Sequence, residues 1–271
     1  IYGNQRYQYC FIADEFKNTV NWDISHIRVA NVDIEVGEPP EGGFPEPDEA
    51  KGPLTAITTK MDGRFTTFGC GDYNNTNSAV TYIKCSNEYD LVKKFVGWWQ
   101  SEYPDIITGW NVQNFDIPYL VNRITKLMGQ SEAKKLSPWG YINERKTFIK
   151  GNEEIHYDIH GIAHLDYLEL YKKFTYNAQE SYKLDHICKV ELGVGKLENP
   201  FDTFKEFYTH DWDLFVEYNV VDVKRVNQLE EKMKLIELAL TMAYDAKCNI
   251  SDVFSAVRTW ACILYNHLWD Q

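Results

Sequence analysis

In the stretch Arg28-Val-Ala-Asn-Val-Asp-Ile-Glu-Val36, every second residue from Ala30 to Val36 is apolar, and the residues between them include Asn31, Asp33 and Glu35. This period of two predicts a β-strand. Because successive side chains of a strand point to opposite faces, Asp33 and Glu35 share one face. Two carboxylates on a buried face are costly unless a cation compensates them. The stretch therefore predicts either a strand that faces solvent or a strand that carries a cation site.

The composition indicates a folded protein. Aromatic residues make up 15% of the 271 residues, which argues against disorder and allows one large domain or two smaller ones. The apolar runs are too short to span a membrane and no basic-then-apolar leader opens the chain, so we expect no membrane association. The chain begins with Ile1 and ends with Asp270-Gln271, and we expect it to be a piece of a longer protein. Six cysteines without a Cys-x-x-Cys pair favour reduced thiols in a cytoplasm over disulfides or a zinc site.

The net charge of −12 restricts the possible partners. A protein that binds duplex DNA along its backbone is expected to be basic. An acidic chain can still hold a few nucleotides of single strand when stacking and metal ions provide the attraction. The charge therefore argues against a duplex-binding regulator and allows a metal-dependent nuclease.

Hydrophobic periodicity predicts an α/β domain with a mixed sheet. Further strands are predicted over 54–60, 64–70, 106–110 and 163–170, with short β-like pieces such as 7–12 near the start. Helices are predicted over 87–103, from about 116, over 182–192, from about 212 to 243, and over 253–269. Met61-Asp-Gly63 predicts a hairpin turn, residues 37–47 predict an irregular loop, and residues 146–157 predict a protruding hairpin that turns at Gly151-Asn152.

Asp116 follows the predicted strand 106–110 at its carboxyl end, where open α/β sheets bind ligands. Asp116 or Asn114 is also expected to cap the next helix, and Pro118 fits the first turn of that helix. For Asp116, the cap and the ligand site are compatible roles.

The long predicted helix carries a carboxylate on its apolar face. Its apolar stripe, spaced three and four residues apart, continues backward to Asp222 and then to Tyr218. The members of the stripe are Val226, Leu229, Met233, Ile236 and Leu240. A carboxylate at a core-facing position requires a partner, which is either a salt bridge or a bound cation.

Asp33, Glu35, Asp116 and Asp222 are therefore predicted to converge on one site. Oxygen ligands without cysteine or histidine select Mg²⁺ or Mn²⁺. Two such ions about 4 Å apart stabilise both the attacking and the leaving oxygen of an in-line phosphoryl displacement. We predict phosphodiester hydrolysis with two Mg²⁺ or Mn²⁺ ions, in which Tyr218 positions the attacking water.

Three segments resemble, in order and spacing, the three motifs of the DEDDy proofreading exonucleases. They are Asp33-Ile-Glu35, Asn111-Val-Gln-Asn-Phe-Asp116 and Tyr218-Asn-Val-Val-Asp222. Most of the chain is similar to the replicative family-B DNA polymerases of T-even-like phages. The similar stretches are Ile27-Arg-Val-Ala-Asn-Val-Asp-Ile-Glu-Val36, Gly43-Phe-Pro-Glu-Pro47, Thr108-Gly-Trp-Asn111, Phe115-Asp-Ile-Pro-Tyr119 and Val194-Gly-Lys-Leu197.

The resemblance implies a ribonuclease-H-like fold, with a mixed sheet flanked by helices, and 3′→5′ hydrolysis of single-stranded DNA ends. It also implies contacts with DNA: Asn111 and Phe115 with the terminal nucleotides, Phe44 stacked on an unpaired base, Leu184 wedged near the 3′ end, and Lys196 near the scissile phosphate. The hairpin would help to part the strands. Two residues depart from the pattern, because Val36 stands where many relatives carry Thr and Lys183 stands where Ser is common.

The resemblance further divides the chain into 1–30, a remnant of the N-terminal domain, 31–245, the exonuclease domain, and 246–271, a helical connection toward the N-terminal domain and the palm. It implies a monomeric phage protein in the cytoplasm of a bacterial host, with the remaining polymerase domains as partners. Polymerase signature motifs are absent, so this piece is not expected to synthesise DNA.

Two alternatives have the same fold. One is a catalytically silent module that binds single-stranded DNA, which the presence of all four carboxylates and the tyrosine argues against. The other is a nuclease that acts on RNA, and the site residues alone do not separate DNA from RNA.

Overall fold

A computed structural model of the chain describes residues 7–17, 21–149 and 152–269. The strands are β1 (Val29–Val36), β2 (Leu54–Met61), β3 (Arg64–Gly69), β4 (Val80–Lys84), β5 (Ile106–Thr108), β6 (Ile142–Ile149), β7 (Asn152–Ile159) and β8 (Ala163–His164). The helices are α1 (Tyr7–Glu15), α2 (Glu88–Glu102), α3 (Asp116–Met128), α4 (Gln130–Ala133), α5 (Tyr167–Phe174), α6 (Leu184–Leu192), α7 (Phe204–His210), α8 (Trp212–Met233), α9 (Leu235–Ala246) and α10 (Ala256–Trp269).

β1 lies inside a six-stranded mixed sheet with the order β4-β3-β2-β1-β5-β8. β1, β2 and β3 pair antiparallel in succession, whereas β5 and β8 extend the sheet parallel to β1. The predicted turn joins β2 to β3, and both of its central residues, Asp62 and Gly63, have the positive φ of a two-residue hairpin loop. A mixed sheet flanked by helices is the ribonuclease-H-like arrangement, so the predicted fold class is confirmed.

Helices cover both faces of β1. One face contributes four apolar side chains to the core shared with α2 and α3: Ala30, Val32, Ile34 and Val36. On the other face, Asn31 Nδ2 donates a hydrogen bond of 2.9 Å to the carbonyl of Val223 on α8. Because α8 covers this face, Glu35 is only 8% exposed. The alternative of a strand that faces solvent is therefore wrong.

The predicted protruding hairpin is confirmed as a separate antiparallel pair, β6 and β7. The pair is longer than predicted, since pairing begins at Ile142 opposite Ile159. The predicted turn includes Gly151, which lies outside the described residues. The base of the hairpin is anchored on α3, because the Tyr157 hydroxyl donates to Asn122 Oδ1 at 2.7 Å.

Two segments predicted as strands are helical. Residues 7–12 belong to α1, whose Tyr9 packs in an apolar cluster with residues of α9 and α10. Residues 163–170 contain the two-residue β8 and then the start of α5. Asp166 ends the strand because its carboxylate caps α5, accepting from the N–H of Leu168 at 2.9 Å.

The long helix predicted from about 212 to 243 is two helices. Lys234 adopts a left-handed conformation (φ 58°) between α8 and α9. Glu230 of α8 accepts hydrogen bonds from the N–H groups of Ile236 at 3.0 Å and Glu237 at 3.3 Å, so it satisfies the first turn of α9. The apolar stripe continues across the break, which is why periodicity alone does not reveal it.

Across the described ranges, the helices lack the combination of length and apolar character that crossing a bilayer requires.

Candidate metal centre

β1 carries its two acidic side chains toward α8. A β-bulge occurs at the second of them, since Glu35 pairs with Ala56 but Val36 pairs with Leu54, which leaves Thr55 as the extra residue on β2. Thr55 Oγ1 donates to the carbonyl of Glu35 at 2.9 Å. Bulges are frequent beside functional sites, and this one ties Thr55 to the backbone of Glu35.

α8 supplies a third carboxylate at the same point. Carboxylate oxygens of Asp33, Glu35 and Asp222 lie within 4.8 Å of one another. Asn219, also on α8, donates from Nδ2 to Asp33 Oδ2 at 2.6 Å. The packing of α8 on β1 therefore brings acidic residues far apart in sequence into one cluster.

Asp116 begins α3 but turns its carboxylate toward the sheet. Asp116 Oδ1 accepts a 2.9 Å hydrogen bond from the backbone N–H of Ile34, and α3 has no side-chain cap. The N–H of Ile34 is available because β5 is short and pairs with β1 only as far as Asn31. The prediction that Asp116 or Asn114 caps this helix is therefore wrong. Asp116 lies next to the other three carboxylates but outside their 4.8 Å group.

A lysine shares the site with the carboxylates. Lys196 Nζ forms an ion pair with Asp222 Oδ2 and lies 4.8 Å from the centre of the Tyr218 ring. The salt bridge weighed as an alternative for Asp222 is thus present. A single ammonium group among four carboxylates nevertheless leaves the site with a net negative charge if all four are ionised.

Burial and mutual repulsion raise the pKa of the clustered carboxyl groups. Burial, followed by the charge of Asp222, raises the pKa of Glu35 to about 8. Burial also raises the pKa of Asp116 to about 7. Burial raises the pKa of Asp33 well above its ordinary value, and the neighbouring carboxylates add to this effect. Without a cation, the cluster therefore retains protons that a bound metal ion would displace.

Lys196 and Tyr218 keep their protons at neutral pH. Burial disfavours the Lys196 ammonium, but the Asp222 carboxylate outweighs burial and raises the pKa of Lys196 above its ordinary value. Burial raises the pKa of the Tyr218 hydroxyl as well. The Tyr218 ring packs edge-on against Phe207, with 5.6 Å between ring centres, and this contact fixes the ring beside Asp222.

The donor set fits a hard divalent cation. Asp33, Glu35 and Asp222 offer only carboxylate oxygens, the ligand type that Mg²⁺ and Mn²⁺ prefer. Within the described part of the chain, Asp222 Oδ1 is buried and has no hydrogen-bond partner. A buried acceptor without a partner indicates an ion or a water molecule at that position.

The residues that the resemblance implies for DNA binding lie on several elements. Asn111, with a left-handed backbone (φ 65°), precedes α3. Phe115 stacks on Tyr119 at 5.7 Å and lies 5.8 Å from the ring of Phe44, which is 67% exposed. Leu184, the first residue of α6, is buried in the apolar core. The roles of these residues in binding DNA stay predictions.

Two residues of the site were not predicted from the sequence. Asp166 is fully buried and, besides capping α5, accepts hydrogen bonds from the N–H groups of Asn111 at 3.2 Å and Gln113 at 2.9 Å. The spacing of Asp166 and Glu169 is that of a helix-start signal, which could have revealed it. The second residue is Asn219. It precedes Asp222 by three residues, and this spacing could have placed it on the same face of the helix.

Comparisons with known proteins identify relatives that cover most or nearly all of the chain. Residues 9–187 match the family model described as DNA polymerase family B, exonuclease domain. The chain is 38% identical to a DNA-directed DNA polymerase of Escherichia phage RB69, over 99% of this chain and 32% of that protein. It is 31% identical to a DNA-directed DNA polymerase of Enterobacteria phage T4, over 98% of this chain and 32% of that protein. A DNA polymerase of Autographa californica nuclear polyhedrosis virus is 27% identical, over 68% of this chain and 20% of that protein.

The chain spans about a third of the length of the two phage relatives, which is 32% of each. The family model ends at residue 187, so Lys196, Tyr218 and Asp222 lie beyond it.

Proposed function

The chain belongs to the exonuclease domains of the family-B DNA polymerases, and from this premise we propose that it hydrolyses single-stranded DNA from the 3′ end with two divalent metal ions, Mg²⁺ or Mn²⁺. The observation that carries the proposal is the group of Asp33, Glu35 and Asp222 within 4.8 Å. Their oxygen donors, their burial and their negative charge suit divalent cations.

The four carboxylates would hold the metal ions, with Asp33, Glu35 and Asp222 as direct ligands and Asp116 beside them. When bound, the ions activate water and neutralise the charge that develops on the phosphate during in-line displacement. The protein contributes the fixed arrangement of these ligands, which come from β1, from the start of α3 and from α8.

Tyr218 and Lys196 complete the proposed site. The Tyr218 hydroxyl, which keeps its proton, would orient the attacking water by a hydrogen bond. The Lys196 ammonium would contact the scissile phosphate, since it remains charged beside Asp222. Both groups act through position and charge, without forming a covalent bond to the substrate.

An exposed ring, Phe44, and a partly buried ring, Phe115, suit a single strand better than a duplex. Phe44 and Phe115 form an aromatic surface on which unpaired bases could stack, and Asn111 lies at its edge. Leu184 would reach a 3′-terminal nucleotide only after it is uncovered, because it is buried here. The net charge of −12 opposes binding along a duplex.

DNA synthesis is proposed to belong to the remaining parts of a longer polymerase. In the division that we propose, 31–245 form the exonuclease domain, and 1–30 and 246–271 belong to its neighbours. The contact between the Tyr9 hydroxyl and the Asp252 carboxylate supports placing the two ends together. Exposed apolar side chains on α10, among them Val257 and Trp260, suit packing against such a neighbour.

Digestion of a 5′-labelled single-stranded oligonucleotide by the 271-residue chain tests the proposal. With Mg²⁺ we expect a ladder that shortens from the 3′ end and releases mononucleotides, and with excess chelator we expect no cleavage. Asp222→Asn should abolish cleavage, whereas Asp211→Asn, at the partly exposed start of the same helix, should leave it intact. Cleavage that persists in chelator would contradict the proposal. Binding of the strand without cleavage would indicate the silent module instead.

A further inference from the structure

Lys196 lies on a segment without regular structure. Residues 193–203, which the structure describes throughout, form neither helix nor strand between α6 and α7. A lysine side chain is long and flexible, and ordering it costs conformational entropy. Its contact with Asp222 therefore depends on how firmly the backbone at position 196 is held.

The peptide group that joins Gly195 to Lys196 is hydrogen-bonded at both ends. The Lys196 N–H donates to Asp185 Oδ1, on α6, at 2.9 Å. The Gly195 carbonyl accepts from Arg225 Nε, on α8, at 2.8 Å. One peptide group is thus fixed between two helices.

The side chains of Asp185 and Lys189 pack closely against Gly195. A Cβ on Gly195 would lie 2.6 Å from Asp185 Oδ1 and 2.8 Å from Lys189 Cε. An alanine at this position would therefore displace the Asp185 carboxylate, which accepts from the Lys196 N–H, together with the end of the Lys189 side chain. Arg225 follows Asp222 by three residues on α8, so the helix that supplies the carboxylate also fixes the backbone of its lysine partner.

We propose that Asp185 and Arg225 are positioning residues, which hold the Gly195–Lys196 peptide group and thereby aim the Lys196 ammonium at Asp222 and the reacting phosphate. The inference rests on the proposed function, because it assigns these residues to the same reaction. A misplacement of about 1 Å in a positioned group can lower a rate by about 10²-fold. Two hydrogen bonds to one peptide group are a direct way to prevent it.

Double-mutant kinetics test the proposal. Arg225→Met and Gly195→Ala disturb the peptide group from opposite sides, and Lys196→Met removes the group that it positions. Single-turnover cleavage of a single-stranded oligonucleotide in saturating Mn²⁺ should be about 10- to 100-fold slower for Arg225→Met and for Gly195→Ala. In the Lys196→Met background, either change should slow cleavage less than about twofold, because the positioned ammonium is already gone.

Matched variants separate positioning from general damage. Asp185→Asn keeps an oxygen that can accept from the Lys196 N–H and should cleave near the parental rate, whereas Asp185→Ala should be slow. Lys189→Met removes the 2.6 Å ion pair with Asp185 on the exposed side of α6 and should change the rate little. Thermal melting identifies any variant that has lost its fold.

The proposal is overturned if Arg225→Met slows cleavage by the same factor with and without Lys196, since Arg225 would then act on Asp222 directly or on the fold. If the parent chain does not cleave DNA, the proposed function fails. Hydrogen exchange then tests whether the Gly195–Lys196 peptide group is held by its two hydrogen bonds. Exchange of the Lys196 amide should be slow in the parent and in Asp185→Asn and fast in Asp185→Ala. Equally fast exchange in all three proteins would show that Asp185 does not hold the Lys196 N–H.

Discussion

Tyr218 and Asp222 occupy adjacent turns of α8 and face one site, but their side chains have different chemistry. In the proposed function Asp222 would offer a carboxylate to a metal ion, whereas Tyr218 offers a hydroxyl that keeps its proton because burial raises its pKa. Tyr218→Phe preserves the ring and its contact with Phe207 and deletes one hydrogen bond. We expect single-turnover cleavage to slow by about 10²-fold while the affinities for Mn²⁺ and single-stranded DNA stay unchanged.

Asp222→Ala is the comparison for this variant. It should lose affinity for Mn²⁺ as well as activity, because it removes a proposed metal ligand and not only a positioning group. Metal titration beside the cleavage assay distinguishes the two variants. If Tyr218→Phe cleaves at the parental rate, Tyr218 is a packing residue.

The raised pKa values in the cluster predict how stability without metal depends on pH. Glu35 (pKa about 8) and Asp116 (pKa about 7) bind protons more tightly in the folded than in the unfolded chain. The stability that they contribute is complete at low pH and is lost as the pH rises through those values. Burial lowers the pKa of His164 from 6.5 to about 4. The stability that His164 contributes therefore rises with pH, but only below about pH 6.5. Between about pH 6.5 and 8, the unfolding free energy in chelator should therefore fall.

Chemical denaturation at several pH values with excess chelator measures this dependence. Mg²⁺ should reduce the fall in the unfolding free energy, because metal binding stabilises the ionised carboxylates. Glu35→Gln should flatten the curve, since one of the groups with a raised pKa no longer titrates. Stability that rises with pH over this window, in the absence of metal, would show that the cluster is ionised and compensated by other means.

At the scale of the elements, Asp166 connects the start of α5 to the loop that precedes α3. Its two carboxylate oxygens accept from the N–H groups of Gln113, Leu168 and Asn111, and the side chain is fully buried. Asp166→Asn keeps one accepting oxygen but places an NH₂ group against a backbone donor. We expect a loss of about 1–3 kcal/mol in the free energy of unfolding.

Asp211→Asn is the matched control for Asp166→Asn. Asp211 caps α8 by accepting from Leu214 N–H at 3.0 Å, in a partly exposed position. Asparagine is an equally good N-cap residue, so the change should be nearly neutral. Equal losses for the two variants would mean that Asp166 is an ordinary cap and does not hold the loop.

Elements with a local signal were predictable from the sequence. The period of two in β1 placed Asp33 and Glu35 on one face, and the spacing along α8 placed Asp222 on the buried side. Both inferences needed only the repeat of a single element. The turn at Asp62-Gly63 was likewise encoded in two residues.

Features that depend on a second element were not predictable in this way. Asp116 hydrogen-bonds to Ile34 because β5 is only three residues long and leaves that N–H uncovered. The start of α5 depends on the cap provided by Asp166, although the segment also alternates as a strand would. The break at Lys234 depends on Glu230, which satisfies the next helix while the apolar stripe continues. In each case a side-chain hydrogen bond outweighs the local pattern.

At the scale of the whole molecule, the net charge of −12 opposes the binding of DNA by this chain. The phosphates of DNA and the carboxylates of the metal centre repel each other, and the Lys196 ammonium compensates only part of this charge. Divalent ions would therefore be needed both to bind the strand and to cleave it. In excess chelator, we expect affinity for a single-stranded oligonucleotide to fall by at least about tenfold.

The same charge predicts that the affinity for single-stranded DNA depends only weakly on monovalent salt and that duplex DNA binds weakly. For single strands, log K falls with log[salt] by about 0.7 for each phosphate that a basic group neutralises. If stacking on Phe44 and Phe115 and the metal ions hold the strand, the slope in KCl should lie between about −1 and −2. Fluorescence anisotropy with Ca²⁺, an ion that also takes carboxylate ligands, measures the slope for single-stranded and duplex oligonucleotides, with cleavage followed in the same samples. A slope near −5, or a duplex bound as tightly as a single strand, would instead require a basic binding surface on this acidic chain.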